Sequence, residues 1–138
     1  MTSTLVSLIG FITWALLLLI LMESIRAKLV VAKAIASNAF VPDNANLSPF
    51  MQRLARAHAN CLEGLPIFGG LMVAAVVSGR SAVTDPLAYV FLAARVLQSS
   101  VHLASVSVLA VNIRFGFFVV QMAIGAYWAV RLLLTVPM

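Results

Sequence analysis

The sequence predicts an all-α fold, an integral membrane four-helix antiparallel bundle. Charged residues make up only 9% of the chain and hydrophobic ones 63%, whereas an ordinary soluble domain is roughly a quarter charged. The mean hydropathy is +1.09. Four long apolar stretches are separated by short segments of turn formers, and helices joined by short loops pack antiparallel. A chain of 138 residues is one domain, spanning 1–138, with helices over about 3–36, 49–78, 86–107 and 113–134.

Helix 1 is expected from Ser3 to Ala27, with a continuation toward Ala36 beyond the membrane. Its apolar stretch, Leu5 to Met22, is preceded by no basic residue and followed by no small-x-small cleavage site. It therefore reads as a retained span rather than a signal peptide. The segment from Ser37 to Leu47 is rich in Asn, Asp and Pro and forms loop 1. Ser48-Pro49 then has the order of an N-cap followed by a first-turn proline. Helix 2 runs from there to Ser78, closed by Gly79-Arg80-Ser81. Thr84-Asp85-Pro86 repeats the cap-then-proline order and opens helix 3, which runs to Ser107. A connection at Ala110-Val111-Asn112 leads to helix 4, from Ile113 to Leu134.

The formal charge of +5 comes with no run of Lys or Arg, which argues against a nucleic-acid partner and for topology signals. Arg26, Lys28, Lys33, Arg53, Arg56 and Arg114 flank loops 1 and 3, while Arg80 and Arg131 lie at the other end. By the positive-inside rule loops 1 and 3 are cytoplasmic and both termini lie on the opposite side. One cysteine, Cys61, excludes an internal disulfide. His58 and His102 are far apart in sequence and no cysteine pair exists, so no metal site is expected. No glycine-rich phosphate loop is present either.

The informative block is Arg53-Leu-Ala-Arg56-Ala-His58-Ala-Asn60-Cys-Leu-Glu63. The apolar remainder of that helix, Leu65 to Ser78, covers about 21 Å at ~1.5 Å per residue. A bilayer core is ~30 Å thick, so the polar block starts at or inside the hydrocarbon boundary. An ionised side chain at mid-bilayer costs ~2.5–3.5 kcal/mol even on lenient scales. At ~100° per residue, Arg53, Arg56, Asn60 and Glu63 fall within an arc of about 80°. Arg95, Gln98, His102 and Ser105 repeat that spacing on helix 3, and helix 4 adds Arg114 and Gln121. Guanidinium groups grip carboxylates in two-pronged geometry, and an embedded Glu can hold an ammonium or amide. Such a cluster suits a small zwitterion or polyanion arriving from the cytoplasm, with an apolar second substrate reaching it from lipid. A second reading stays open, in which the same residues are interhelical glue, with Arg95–Glu63 as an ion pair.

The stretch Arg53-Leu-Ala-Arg56-Ala-His58-Ala-Asn60-Cys61-Leu-Glu63-Gly64-Leu65-Pro66-Ile67-Phe68 resembles the helix-2 signature R-A-H-x-N-x-x-E-x-x-P-x-F of MAPEG proteins. These are the membrane-associated proteins in eicosanoid and glutathione metabolism, and the likeness extends over nearly the whole chain, most closely to bacterial-type members. The resemblance implies a homotrimer of four-helix bundles, in a bacterial inner membrane, with a glutathione site between subunits. It implies that Arg56, Asn60 and Glu63 contact the tripeptide and that Arg26 of a neighbouring copy binds a carboxylate. Gln98 and His102 stand where active members carry His or Tyr and Tyr. Arg114 matches the arginine that stabilises the thiolate, a role with a clear physical basis, since a thiol of pKa ~8.5 ionises more readily beside a fixed cation. Arg53 and Arg95 are further candidates.

Two departures stand out. His102 replaces a tyrosine, and Phe115 follows Arg114 where a small hydroxyl residue is usual. Glutathione serves as co-substrate in this reading, and the other partners are membrane lipids and a lipophilic small molecule. Three functions compete: a glutathione-dependent transferase or peroxidase acting on lipophilic electrophiles or hydroperoxides, a non-catalytic glutathione or lipid binder, and a small drug exporter. The exporter requires a carboxylate in mid-helix 1, whereas Glu23 lies at that helix's end. Away from the site, Cys61 reads as a packing residue. Gly69-Gly70 and Gly125 read as points of close helix approach, and Pro66 as a kink in helix 2.

Overall fold

A computed structural model describes residues 1–135. Four helices long and apolar enough to cross a membrane account for most of them: α1 (Ser3–Val31), α2 (Pro49–Val77), α3 (Ser81–Ala104) and α4 (Val108–Leu134). No strand occurs among the described residues. The chain is an integral membrane four-helix bundle, as its composition requires.

Two helix starts follow the expected chemistry. The Ser48 hydroxyl accepts from the Met51 N–H with Pro49 at the first helical position, and Thr2 caps α1 by accepting from Leu5. Inside α2, residues Leu65–Gly69 form a single π-helical turn that holds Pro66. A proline has no N–H to give the ladder, and a π turn is one way to absorb the gap without ending the helix.

Other boundaries differ from the sequence expectation. Helix α1 stops at Val31 rather than continuing to Ala36. Lys33 adopts a left-handed φ of 58°, and the Lys33 and Ala34 N–H groups bond back to the Val30 and Leu29 carbonyls. That paired return satisfies the last carbonyls and ends the helix. Gly79, with φ 71°, closes α2 the same way, Gly79 and Arg80 donating to Val76 and Ala75.

Helix α3 begins at Ser81, not at Pro86, because Thr84 and Asp85 cap a different helix. Asp85 Oδ1 accepts from the Thr4 backbone N–H at 2.9 Å and from its hydroxyl at 2.6 Å, and Thr84 shares a hydrogen with Thr4. A carboxylate on a free N–H of the first turn of α1 also complements that helix's dipole. Pro86 therefore sits inside α3. Helix α3 ends at Ala104, and α4 starts at Val108 instead of Ile113, because Ser107 supplies its N-cap hydroxyl to Ala110.

One aromatic side chain from each helix meets in the core. Phe11 of α1, Phe68 of α2 and Trp128 of α4 all surround Phe91 of α3, with ring centroids 5.7, 4.9 and 5.6 Å from it. Trp128 is thus a packing residue. On the outside, Ile9, Leu16, Leu17 and Ile20 of α1 stay exposed, an apolar surface that suits contact with membrane lipid.

Candidate functional site

The polar block of α2 lies near the loop 1 end of the bundle, where α2, α3 and α4 converge. Five of the residues singled out from sequence share one pocket of about 320 Å³: Arg56, Asn60 and Glu63 from α2, His102 from the last turn of α3, and Arg114 from the second turn of α4. Arg56 and Glu63 are solvent-accessible along their side chains, while His102 is buried. The Nε of Arg114 is buried without a hydrogen-bond partner among the described residues. An unpartnered buried guanidinium nitrogen is costly unless something arrives to accept from it.

A second, smaller recess of about 250 Å³ adjoins the first through Asn60 and Arg114 and adds Gln98, Val111, Phe115 and Phe118. Gln98 is buried and accepts from Gln121 Nε2 at 2.8 Å, which fixes its amide between α3 and α4. Phe115 borders this recess with its ring largely exposed. Asn60 and Glu63 also line a third space, an apolar groove of about 630 Å³ between α2 and α4 bounded by Ile67, Phe68, Phe118 and Met122. A charged pocket and an apolar groove therefore meet at two shared side chains.

Three candidates are placed elsewhere. Arg53 donates from Nε to the Leu103 carbonyl at 2.9 Å and lies over the Phe50 ring. It satisfies the C-terminal end of α3, a cation at the negative pole of a helix. Arg26 donates to Glu23 at 3.0 Å and to Asn44 Oδ1 and the Val41 carbonyl, with its guanidinium over Phe40. Asn44 in turn donates to the Met51 carbonyl at 2.8 Å, so Arg26 ties loop 1 to α1 and α2.

Arg95 is only 1% exposed, lies over Phe11, and has no hydrogen-bond partner for any of its three nitrogens among the described residues. The Arg95–Glu63 ion pair that the sequence suggested is not formed, since Arg26–Glu23 is the one ion pair among the described residues. Glu63 points out into the pocket, whereas Arg95 points in toward the core. Its Nη2 lies 2.8 Å from where a Cβ on Gly64 would stand, so the glycine after Glu63 leaves room for it. Cys61 is fully buried with its sulfur 3.3 Å from Ser99 Oγ, consistent with a packing role.

The family model of the MAPEG family matches residues 4–134. The chain belongs to the MAPEG family. Comparison with curated proteins and with solved structures gives no match. Membership makes this a membrane protein of the glutathione and eicosanoid class, and MAPEG proteins generally use glutathione. The residues present fit that tripeptide chemically: Arg56 and Arg114 offer cations for carboxylate and sulfur, Glu63 an anion for the ammonium, and Asn60 an amide for the peptide groups. Sequence reading missed Phe118, which borders both the recess and the groove. Its signal was available, since Phe118 lies one helical turn beyond Arg114 and shares its face.

Proposed function

We propose that this MAPEG protein is a glutathione-dependent transferase or peroxidase acting on lipophilic electrophiles or hydroperoxides. The observation that carries the reading is that the charged pocket and the apolar groove share Asn60 and Glu63 in their walls. A water-soluble thiol and a membrane-dissolved acceptor would meet there. Glutathione supplies the nucleophilic sulfur. Arg56 holds a carboxylate in two-pronged geometry, Glu63 takes the ammonium, and Asn60 and Gln98 bond the peptide backbone. Arg114 places its guanidinium beside the sulfur and stabilises the thiolate, the charge form that attacks. His102 donates to sulfur or carboxylate in place of the family tyrosine.

The active unit in this reading is a homotrimer in a bacterial inner membrane, loops 1 and 3 facing the cytoplasm. Arg56 and Glu63 are exposed on the isolated bundle and make no ion pair among the described residues, an arrangement that lipid would penalise. A neighbouring copy would cover them. Arg26 reaches the neighbour's pocket by exchanging its exposed bond to Glu23 for a ligand carboxylate, while Asn44 keeps its guanidinium in place.

Turnover of a chlorodinitrobenzene and of an organic hydroperoxide by the detergent-purified protein tests the proposal. Wild type should be active and Arg114→Ala should lose most of that turnover while keeping most of its glutathione affinity. A wild-type protein that binds glutathione but turns over neither acceptor would make it a non-catalytic binder. A monomer that binds glutathione as tightly as the assembled protein would refute the shared site.

A further inference from the structure

The recess beside the thiol pocket has its polarity fixed by a residue outside it. Gln121 of α4 is fully buried and stands in the wall of neither pocket. Its Nε2 lies 3.1 Å from the Phe117 carbonyl, one turn back on the same helix, and 2.8 Å from the side-chain amide of Gln98 on α3. A backbone carbonyl has two lone pairs and can only accept. The end of Gln121 that meets it is therefore the NH2 group, because the reversed amide would set oxygen against oxygen. That group has a second hydrogen, which goes to Gln98, so the end of Gln98 that faces α4 is Oε1.

One backbone oxygen thus sets the orientation of two amides in series. Gln98 stands in the wall of the recess, and with its acceptor turned to Gln121 the end left for that recess is Nε2, a donor only. Gln98 is buried, and a buried N–H needs an acceptor. Arg114 shares the wall and also donates without accepting. The group that fits between these two side chains carries lone pairs and gives no hydrogen. The arrangement leaves Oε1 of Gln121 buried with no partner among the described residues. A buried amide kept with one end unsatisfied needs an explanation, and the work of its other end on Gln98 supplies it.

We propose that Gln121 is a positioning residue for ligand recognition: it holds Gln98 as a fixed donor, which gives its hydrogen to a peptide carbonyl of the bound thiol tripeptide. The assignment rests on the glutathione reading above and adds the direction of one contact within it. A freely turning glutamine serves a carbonyl or an N–H alike, whereas a locked one discriminates between them. Gln121 touches no ligand, and its effect passes through Gln98 alone.

The test is calorimetry of glutathione binding to the detergent-purified full chain. Gln98→Met should weaken binding about fivefold, the scale of one neutral hydrogen bond, and Gln121→Met by about two- to fivefold. The double variant should bind as Gln98→Met does, because nothing is left for position 121 to act through. Gln98→Glu keeps the bond from Gln121 but turns an acceptor toward the ligand, so it should weaken binding more than Gln98→Met. Gln121→Met at wild-type affinity would overturn the inference. So would a double variant in which the two losses multiply, since Gln121 would then act through packing. Gln98→Glu that binds as tightly as wild type would show that Gln98 accepts from the ligand, and it decides the polarity even if Gln121→Met fails to fold. A wild type that binds no glutathione would instead refute the glutathione reading, and this inference with it.

Discussion

Gly125 is the point where helix packing and the groove depend on one missing methyl group. A Cβ built there would stand 2.7 Å from Phe68 Cε1 and 3.0 Å from Cδ1. Phe68 has little freedom to retreat, because it is buried and its ring packs 4.9 Å from Phe91. Phe91 is in turn held between Phe11 and Trp128. Gly125→Ala should therefore behave as overpacking and cost about 1–3 kcal/mol, against a helix-propensity gain of only ~1 kcal/mol. Gly70 and Gly116 are helical glycines with nothing within 4 Å of an added Cβ. Gly70→Ala and Gly116→Ala should gain up to ~1 kcal/mol from propensity alone. Thermal melts of the three variants in one detergent give the comparison directly, and Phe68→Leu should restore stability to Gly125→Ala. Phe68 and Gly125 both border the groove, so Gly125→Ala should also raise KM for a lipophilic acceptor with glutathione affinity unchanged. A Gly125→Ala protein that melts with or above Gly116→Ala would refute the packing argument.

Arg56→Ala and Glu63→Ala should each weaken glutathione binding by about tenfold through loss of charge-assisted contacts worth ~1.5–3 kcal/mol; calorimetry reads the affinity, and melts of the ligand-free variants control for folding. His102→Phe should reduce turnover less than Arg114→Ala does, because its imidazole only helps to position the ligand. Asp85→Ala should destabilise the empty protein by about 1–2 kcal/mol by leaving the Thr4 N–H without its acceptor, a change visible in the melt and absent from glutathione affinity.

Composition and apolar spacing were enough to read four membrane spans, and the polar block of α2 announced its pocket because charged side chains are so rarely kept in lipid. What escaped the sequence was tertiary. Thr84 and Asp85 have the chemistry of a local cap, but their oxygens bond to Thr4 on another helix, which linear order cannot reveal. The end of α1 rests on Lys33 taking a left-handed conformation with no glycine to announce it. The start of α4 was legible in principle, since Ser107 is an ordinary N-cap residue, yet it was absorbed into the preceding helix. In the site, helical spacing put Arg95 on the face of Gln98 and His102. Spacing cannot say that the guanidinium turns into the core behind Gly64 while Glu63 turns out. The role of Asn44 in seating Arg26 depends on a loop fold that no periodicity describes.

The proposed chemistry depends on a thiol bound beside Arg114 and held there as thiolate. The most direct measurement is the ultraviolet difference absorbance of thiolate on titrating glutathione into the purified protein. Wild type should give a saturable thiolate signal that is largely lost in Arg114→Ala at glutathione concentrations that still fill the site. Saturable binding with no thiolate absorbance, or an undiminished signal in Arg114→Ala, would contradict it.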